Sequence, residues 1–599
     1  MESTNILCVH AGHNASACLM HDGKIVSAAL EERFCRKKNY IGYPKQAINF
    51  CLNKAGIAGK DLNHVAYTTK SFQGLFIKAK TSTQFSISDY MDYYGDKYYR
   101  KKIQGDNCID YLRWLNSAEK FNEDEQYYDF SYLTEDIVLD PAKDIELFRK
   151  EQARLLSQHL EIEETMVEFL DHHTCHAYYA YFASPFRKQD CIVVTLDGWG
   201  DGRNQTIWKA TDDKLYLLAE SDQNDLGRIY KIATLILAMR PDEHEFKVMG
   251  LAPYAKGSYV QKALQEIENL SDVDGMRIVH KQRPQDLYSY LKNNLASHRF
   301  DNIAGAVQAY TEKIAKKLIQ NVYEKTGVGR FVLSGGISMN VKMNKAISEM
   351  DCVSSMFVCG SGGDESLSIG GCYYINDRNN MRSKPLNNLY LGYDIGEEMA
   401  DIAFESFSDK YAITSDVKLS NIAEILRKGE IVAVIRGQAE FGARALGNRS
   451  ILADPSRRET VIKINEAIKN RDFWMPFALS ILEDYQDQYI ENPKHIESPF
   501  MAISLGTRPE KYSKIEAGTH PYDKTVRPQF VSKQDSPAYY ALIDEFFKLT
   551  GIPAVLNTSF NLHGEPIVNS VSDAIRTFEL SGLDHLLIDD KYLLSKKSS

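Results

Sequence analysis

Short apolar runs separated by glycine and polar turns predict a series of buried strands along this chain. The first two runs occupy residues 6–9 and 17–20, and a third begins at residue 24, directly after Asp22-Gly23. Asp-Gly between apolar runs is the strongest short-range signal for a β-hairpin. The same strand, turn and strand pattern returns at residues 191–219, roughly 185 residues later. The two copies predict a duplicated domain in which each half offers a loop to phosphate.

Two histidines occupy the most informative position in the sequence. His172 and His176 are four residues apart, so a helix presents both from one face, where they can bind a single metal ion. The apolar run 191–196 predicts a buried strand that ends at Asp197, in a segment rich in glycine and aspartate. A metal site beside phosphate is one interpretation, and ordinary helix packing is the other. The two histidines alone do not decide between them.

Two further predicted strands run into glycines. Residues 331–334 lead to Gly335 and Gly336, with a helix expected from about Asn340, and residues 357–359 lead through glycines to Asp364. Backbone amides at a helix start bind anions. Each of these turns can be explained as a tight turn without further role. Four glycine-rich strand ends in one chain nevertheless favour a shared nucleotide cleft.

The middle of the chain predicts an insertion. About residues 70–165 are rich in tyrosine and charge, which is typical of helices that pack through amphipathic tyrosines. A lid that binds a polar acceptor is the functional alternative. Residues 376–396 are polar and irregular, as expected of a connector between domains.

Cations beside glycine and proline turns distinguish the C-terminal part. Guanidinium groups bind phosphate oxygens bidentately, and lysine adds a compact charge. A single such residue is by default a solvated surface side chain, but several together predict an anion pocket. The cations are Arg444, Arg449, Lys469, Arg471 and Arg527. Two polar residues, Asn557 and Ser559, follow a predicted strand in the same part of the chain.

Composition sets limits on the function. A chain of 599 residues with 44% hydrophobic and 25% charged residues is expected to form more than one globular domain. Its net charge of -10 argues against a general nucleic-acid binder. The ten cysteines include no Cys-x-x-Cys pair, so neither a zinc ribbon nor a disulfide framework is predicted. The start does not have the build of a signal peptide, and no apolar run reaches the ~20 residues that span a bilayer. We therefore expect a cytoplasmic protein that binds neither nucleic acid nor membrane.

The motifs together resemble the O-carbamoyltransferases of natural-product and nodulation-factor biosynthesis. Their order and spacing extend from the first strand to about residue 568, so the resemblance covers nearly the whole chain. The matching segments are residues 12–17 (GHNASA), 31–38 (EERFCRKK), 172–177 (HHTCHA), 227–230 (GRIY), 247–252 (KVMGLA), 334–336 (SGG), 444–450 (RALGNRS) and 557–561 (NTSFN).

The resemblance implies an α/β fold with two domains. Residues 1–385 are expected to form a threonylcarbamoyl-transferase-like domain with the duplicated fold of actin, Hsp70 and sugar kinases. Residues 386–599 are expected to form a YrdC-like α/β domain with a positively charged cavity. By the family pattern, the C-terminal domain makes carbamoyl-adenylate from carbamoyl phosphate and ATP with Mg(II). The N-terminal domain then transfers the carbamoyl group to a hydroxyl of a small acceptor metabolite and releases AMP.

The family pattern also implies roles for individual residues. His172, His176, Asp197 and Asp364 match the metal ligands, with Fe(II) expected and other divalent ions left open by the ligand types. His13 matches the candidate catalytic histidine, and we expect it to act as the general base. The residues expected to bind carbamoyl phosphate are Lys469, Arg471 and Arg527. Those expected to bind nucleotide are Lys38, Gly335, Gly336, Asn340, Arg444, Arg449, Asn557 and Ser559.

Some positions depart from the family pattern, and some alternatives stay open. Relatives usually carry Asp at Asn14, Pro at Ala443, and Arg or another polar residue near Met475. Ala11 replaces an acidic residue that contacts an aminoglycoside in one relative, which puts an amino-sugar acceptor in doubt. The alternative functions are a tRNA threonylcarbamoylation enzyme and an actin/Hsp70-type nucleotide-gated ATPase. A homodimer is one option for the oligomeric state, which the sequence does not decide.

Overall fold

The computed structural model describes residues 3–82, 86–106, 109–117, 127–396, 398–400 and 407–597. Parts of the predicted insertion, residues 83–85, 107–108 and 118–126, therefore lie outside the described residues. The chain divides into two compact units. The first comprises Met1–Val26, Asn39–Ser354 and Gly362–Pro385, and the second comprises Ser27–Lys38, Ser355–Ser361 and Leu386–Ser599.

The strands alternate with helices along both units. The strands are β1 Asn5–His10, β2 Ser16–His21, β3 Lys24–Leu30, β4 His64–Tyr67, β5 Val167–Phe169, β6 Cys191–Gly200, β7 Arg203–Thr211, β8 Lys214–Ser221, β9 Ser271–Asp274, β10 Arg277–His280, β11 Arg330–Ser334, β12 Ser355–Val358, β13 Tyr390–Asp394, β14 Tyr411–Thr414, β15 Val432–Ile435, β16 Gln438–Glu440, β17 Arg449–Ala453, β18 Ala478–Leu482, β19 Ile490–Glu491, β20 Gly506–Thr507, β21 Pro528–Val531, β22 Ala554–Ser559, β23 His585–Ile588 and β24 Tyr592–Lys596.

The helices range from single turns to seven-turn rods. They are α1 Glu32–Cys35, α2 Lys45–Ala55, α3 Gly74–Ser82, α4 Ile87–Asp92, α5 Tyr99–Gln104, α6 Ile109–Ser117, α7 Glu135–Val138, α8 Pro141–Leu160, α9 His172–Ala183, α10 Leu226–Ile236, α11 Glu245–Leu251, α12 Gly257–Gln265, α13 Leu287–Leu295, α14 Phe300–Thr326, α15 Val341–Ser348, α16 Leu367–Arg378, α17 Leu419–Arg427, α18 Glu459–Ile464, α19 Gln486–Tyr489, α20 Tyr512–Ile515, α21 Pro537–Thr550 and α22 Val571–Glu579.

The first unit contains the same strand arrangement twice. In the N-terminal copy the order is β3-β2-β1-β4, in which β1 and β2 are antiparallel and β4 runs parallel to β1. The second copy has the order β8-β7-β6-β11, in which β6, β7 and β8 are antiparallel neighbours and β11 runs parallel to β6. Every residue of β1 and the first seven residues of β6 are buried, as expected for strands covered on both faces. The α/β class and the duplication predicted from the sequence are confirmed.

Two helices of the first unit pack at close range. Most of α9 and the first ten residues of α16 except one are buried. A side chain at Gly370 would collide with the carbonyl oxygen of Cys175, so glycine lets the two helices approach. This packing fixes the helix that carries the two candidate histidine ligands.

Much of the tyrosine-rich segment of the first unit is helical. Helices α3–α8 cover most of these residues, and the ring of Tyr93 stacks on Tyr98 at 4.9 Å. Tyr111 stacks on Trp114 at 5.6 Å. The tyrosines therefore pack largely against one another through their aromatic faces.

The second unit is built on one mixed eight-stranded sheet. Its strand order is β14-β24-β23-β15-β17-β22-β18-β21, with parallel pairs at β15–β23 and β18–β21. The core on this sheet includes Ile435, Ile451, Leu556, Phe578 and Leu586. The sheet brings the ends of β17, β18 and β22 side by side, which places the polar residues at those ends near one another. Within the part of the chain that the structure describes, no helix is long and apolar enough to cross a membrane.

Candidate active site

The two candidate histidine ligands lie on the first two turns of α9. This helix begins at His172 because the Asp171 side chain accepts a hydrogen bond from the Thr174 amide at 2.9 Å, which caps the helix. The His172 amide donates to Asp201 at 2.8 Å. Asp201 also accepts from the amides of Lys70 and Ser71, so it connects the start of α9 to a neighbouring loop. The predicted helical spacing of His172 and His176 is present.

Two carboxylates complete the group around these imidazoles. Asp197 lies in β6, and Asp364 begins a short 3-10 helix after the glycines at 360–363. His172 Nε2 lies 3.1 Å from Asp197 Oδ2 and 3.7 Å from Asp364 Oδ1. His176 Nε2 lies 3.6 Å from the same oxygen of Asp364. One ligand atom from each of the four residues falls within 4.8 Å of all the others.

Burial and mutual charge shift the protonation of this group. Burial lowers the pKa of His172, but Asp364 and the hydrogen bond to Asp197 more than offset this and bring it to about 9. Burial and then the charge of His172 lower the pKa of His176 to about 3. Burial and then the charge of Asp197 raise the pKa of Asp364 to about 7. Such opposed shifts within one buried group are typical of a functional site.

The side chains fit a divalent cation. Neither ring nitrogen of His176 has a hydrogen-bond partner among the described residues, although the side chain is fully buried. A buried imidazole without partners is costly unless a ligand pairs with it. Two imidazoles with two carboxylates suit Fe(II), Mn(II) or Zn(II).

The glycine turn at 335–336 positions one of the candidate metal ligands. The Gly336 amide donates to Asp197 Oδ1 at 2.9 Å, which orients that carboxylate. Gly335 has φ +91°, and a side chain there would collide with the backbone of Leu196. The Asn340 side chain accepts from the Met343 amide at 2.9 Å and so caps α15. These residues therefore shape the end of β6, and their predicted contact with nucleotide stays a prediction.

A histidine that the sequence interpretation did not select lies beside the four residues. His10 is fully buried at the end of β1, and its Nε2 is 3.9 Å from Asp364 Oδ2 and lacks a hydrogen-bond partner. Gly12 permits this, because a Cβ there would lie 2.7 Å from that nitrogen. The sequence feature that could have identified His10 is its position as a polar residue at the end of an otherwise apolar strand.

The predicted base His13 is partly buried. Burial lowers its pKa from the ordinary value of 6.5, although the charges of Asp242 and Asp364 act in the opposite direction and raise it. It is therefore neutral near pH 7, as a general base must be. Asp242 accepts hydrogen bonds from Lys80 Nζ at 3.1 Å and from Lys231 Nζ at 2.8 Å. Lys80 comes from the tyrosine-rich insertion, so the insertion reaches the surroundings of His13. Sequence reasoning missed this cluster because its members are far apart in the chain.

Three predicted cations of the second unit meet around β22. Lys469 is 3% exposed, and its Nζ donates to Asn561 Oδ1 at 2.7 Å and to Ser559 Oγ at 3.1 Å. Arg471 donates to Thr558 Oγ1 at 3.2 Å. The Nε of Arg527 is buried and has no hydrogen-bond partner among the described residues.

These cations are not neutralised by acids. Among the described residues, Lys469, Arg471 and Arg527 form no ion pair with a carboxylate. Burial, then Arg471 and Lys38, lower the pKa of Lys469 well below its ordinary value. Burial and then Arg444 lower the pKa of Arg471 to about 10, and burial, Arg444 and Arg471 lower that of Arg527. Uncompensated buried positive charge is what an anion site requires.

Two other predicted nucleotide contacts have different surroundings. Arg449 is fully buried, and its guanidinium donates to five backbone carbonyl oxygens. Its bonds connect loops of the second unit, which differs from the predicted contact with adenylate. Asn557 donates to Ala445 O and Ser480 Oγ, while its buried Oδ1 lacks a hydrogen-bond partner among the described residues. That oxygen can accept from the N–H group of a ligand.

Comparisons with known proteins cover both units. Residues 5–373 match the family model described as carbamoyltransferase N-terminus, and residues 423–596 match carbamoyltransferase C-terminus. The chain is 30% identical over 608 residues to the uncharacterized protein MJ1051 of Methanocaldococcus jannaschii, and the match covers 99% of each. It is 28% identical over 598 residues to nodulation protein NolNO of Sinorhizobium fredii, covering 98% of this chain and 79% of that protein.

Among solved structures, component A of the (R)-2-hydroxyglutaryl-CoA dehydratase of Acidaminococcus fermentans is similar with a TM-score of 0.31 and 14% identity. That similarity covers 62% of this chain and 97% of the other. A TM-score this low does not establish a shared fold.

Proposed function

Because the chain belongs to the carbamoyltransferase family, and so is an enzyme that transfers carbamoyl groups, we propose how it divides that reaction between its units. The second unit makes carbamoyl-adenylate from carbamoyl phosphate and ATP. The first unit transfers the carbamoyl group to a hydroxyl of a small acceptor. The observation that carries the proposal is the group of buried cations in the second unit without carboxylate partners.

In this proposal the second unit forms carbamoyl-adenylate in two steps that balance in atoms. Water first cleaves the bond between the carbamoyl group and phosphate, which releases inorganic phosphate and carbamate. A carbamate oxygen then attacks the α-phosphorus of ATP, and pyrophosphate leaves. Both steps concentrate negative charge on phosphate oxygens, so positioned cations lower the barriers.

The cations of the second unit suit these steps. We assign carbamoyl phosphate to Lys469, Arg471 and Arg527. Arg444 lies close enough to two of these residues to lower their pKa, and we assign it to the nucleotide phosphates. ATP enters with Mg(II), its usual counter-ion. Lys469 loses charge readily because its pKa is lowered, and an anion beside it would restore the charged form.

The four-residue group of the first unit is assigned to a divalent ion, for which Fe(II) is the expected identity. His172, His176, Asp197 and Asp364 would bind it. When bound, the ion supplies Lewis acidity and a template for the adenylate phosphate. Gly336 and Asp201 position two of these ligands through their hydrogen bonds to Asp197 and to the backbone of His172.

The transfer step needs a base beside the acceptor. His13 accepts the proton of the acceptor hydroxyl as its oxygen attacks the carbamoyl carbon, and AMP leaves with the electrons of the broken C–O bond. The product is a carbamate ester. The acceptor is a small hydroxylated molecule whose identity these residues do not specify.

The proposal is tested by following pyrophosphate and AMP separately. Wild-type protein with ATP, Mg(II) and carbamoyl phosphate should release pyrophosphate, without RNA. His13→Asn should keep pyrophosphate release and lose carbamoyl transfer by at least ~100-fold, the scale of general base catalysis. Lys469→Met should lose pyrophosphate release itself. ATP turnover that ignores carbamoyl phosphate would instead support an ATPase and contradict the proposal.

Two exposed residues provide matched controls. His21 is an exposed histidine at the end of β2, and Lys463 is an exposed lysine on α18, six residues before Lys469. His21→Asn and Lys463→Met should leave both half-reactions unchanged. If His13→Asn retains transfer, the base assignment is wrong.

A further inference from the structure

A short N-terminal segment belongs to the second unit. Ser27–Lys38, which begins with the last four residues of β3, is grouped with Leu386–Ser599. Its helix α1 is a single turn. Arg36 in this segment donates to the carbonyl oxygens of Ile567 and Pro566, both at 2.8 Å. The second unit is therefore completed by residues that precede it by more than three hundred positions.

Arg33 in the same segment has unpaired donors. Its side chain is 3% exposed, and its Nη2 donates to the carbonyl oxygen of Gly442. Nε and Nη1 have no hydrogen-bond partner among the described residues. The Glu32 carboxylate is 3.9 Å from Nε, beyond hydrogen-bonding distance. A buried guanidinium with open N–H groups is costly, so these groups require a ligand or water.

The position of Arg33 connects it to the anion site. Gly442 has φ +99° and lies two residues before Arg444, whose charge lowers the pKa of Arg471 and Arg527. Lys38, at the end of the same segment, is close enough to lower the pKa of Lys469. The segment thus contributes cations to the surroundings of the residues assigned above to phosphate.

Glu440, the acid in this region, is engaged elsewhere through one oxygen, and its buried Oε2 has no hydrogen-bond partner among the described residues. The charge of Glu440 favours the charged form of Arg33. Its Oε1, however, accepts hydrogen bonds from the amides of Leu446, Asn448 and Arg449. No ion pair joins Glu440 to Arg33 among the described residues. Among the described residues, Arg33 Nε has a long ion pair with Glu32, at 3.9 Å, and Nη1 has no hydrogen-bond partner.

We propose that Arg33 binds a phosphate oxygen of ATP and that segment 27–38 completes the adenylate-forming site. The inference rests on the proposed function. The Nη1 group of Arg33, which has no hydrogen-bond partner among the described residues, can donate to an oxyanion, and it offers nothing to a cation or to a hydrogen-bond donor. Through its bond to Gly442 the same side chain positions the loop that carries Arg444.

The test compares two arginines of one segment in the full-length protein. Arg33→Met should raise the Kd for ATP, measured by calorimetry, at least tenfold. Inorganic pyrophosphate should also compete less well with ATP for binding to this variant. Arg36→Met is the matched control, because the guanidinium of Arg36 bonds to backbone carbonyls. It should lower the Tm while ATP affinity stays at the wild-type value. Equal loss of ATP affinity in both variants would show that the segment acts only through folding, and would overturn the proposal.

Two further measurements separate the remaining outcomes. Methylguanidinium should restore ATP binding to Arg33→Ala and should leave the ATP affinity of Arg36→Ala unchanged. If Arg33→Met does not fold, Arg33→Lys decides: a raised Kd supports the proposal, and a wild-type Kd overturns it. Wild-type protein that binds neither ATP nor pyrophosphate would remove the proposed function, and this inference with it. If the wild-type protein binds ATP and Arg33→Met binds it equally well, this inference is overturned and the proposed function is not.

Discussion

Gly200 offers the sharpest test of the candidate metal site, because a single methyl group there meets a ligand atom. A Cβ built at Gly200 lies 2.6 Å from Nε2 of His172 and closer still to two ring carbons. Ordinary contacts require about 3.5 Å, so Gly200→Ala must displace that nitrogen by roughly 0.9 Å. The ring is 2% exposed and packs against His176 at 4.8 Å, which leaves little space for the movement.

The displacement predicts a defined loss of metal affinity. Metal–ligand distances are held to within about 0.2 Å, so a shift near 0.9 Å removes His172 from the ligand set. We expect Gly200→Ala to weaken metal binding by at least 10–100-fold, which corresponds to about 1.4–2.8 kcal/mol. Gly198→Ala is the matched control. It lies on the same strand, and a Cβ there meets nothing within 4 Å.

The assay is a titration of metal-free protein with Fe(II) under exclusion of oxygen, and separately with Zn(II). Both variants carry the same change in chain entropy, so their difference reports the contact with His172. Circular dichroism and Tm confirm that both are folded. If Gly200→Ala binds both ions as tightly as Gly198→Ala, then His172 is not a ligand and the metal assignment is refuted.

Two further predictions concern single residues of either unit. Arg449→Met leaves five carbonyl oxygens without their donor, so the free energy of unfolding of the second unit should fall by about 3 kcal/mol in urea titrations, while the folded protein keeps its ATP affinity. A selective loss of ATP binding without loss of stability would contradict this scaffold role. Burial lowers the pKa of His13 below its ordinary value, so the imidazole stays neutral at neutral pH and takes up a proton only in acid; the rate of carbamoyl transfer should therefore decline only below neutral pH. A decline that begins at higher pH, or one that persists in His13→Gln, would exclude His13 as its origin.

Individual strands and helices could be predicted from the sequence because patterns of a few neighbouring residues specify them. The apolar runs at 6–9 and 191–196 lie in β1 and β6, and the helix expected from Asn340 begins at Val341 with Asn340 as its cap. The i, i+4 spacing of His172 and His176 is realised in α9 for the same reason. Hydrophobic period, glycine turns and capping residues act over a few positions, so they are visible without tertiary structure.

The duplication was likewise visible, since a repeated strand–turn–strand pattern needs only the order of apolar and polar positions. Resemblance to a family added the pairing of the two histidines with Asp197 and Asp364. The distances of 3.1 Å and 3.6 Å that join these side chains depend on strand crossovers that no local pattern specifies.

Other features were decided by the tertiary structure alone. Only the folded chain places His10 beside Asp364, joins Lys80 to Asp242, and includes residues 27–38 in the second unit. The same holds for Arg449, which the family pattern assigns to nucleotide. Its partners are carbonyl oxygens brought together by the sheet. The sequence by itself determined the elements, the duplicated domain and the family. The fold decided which buried groups are satisfied by the chain and which remain open for a ligand, because hydrogen-bond satisfaction depends on contacts between distant residues.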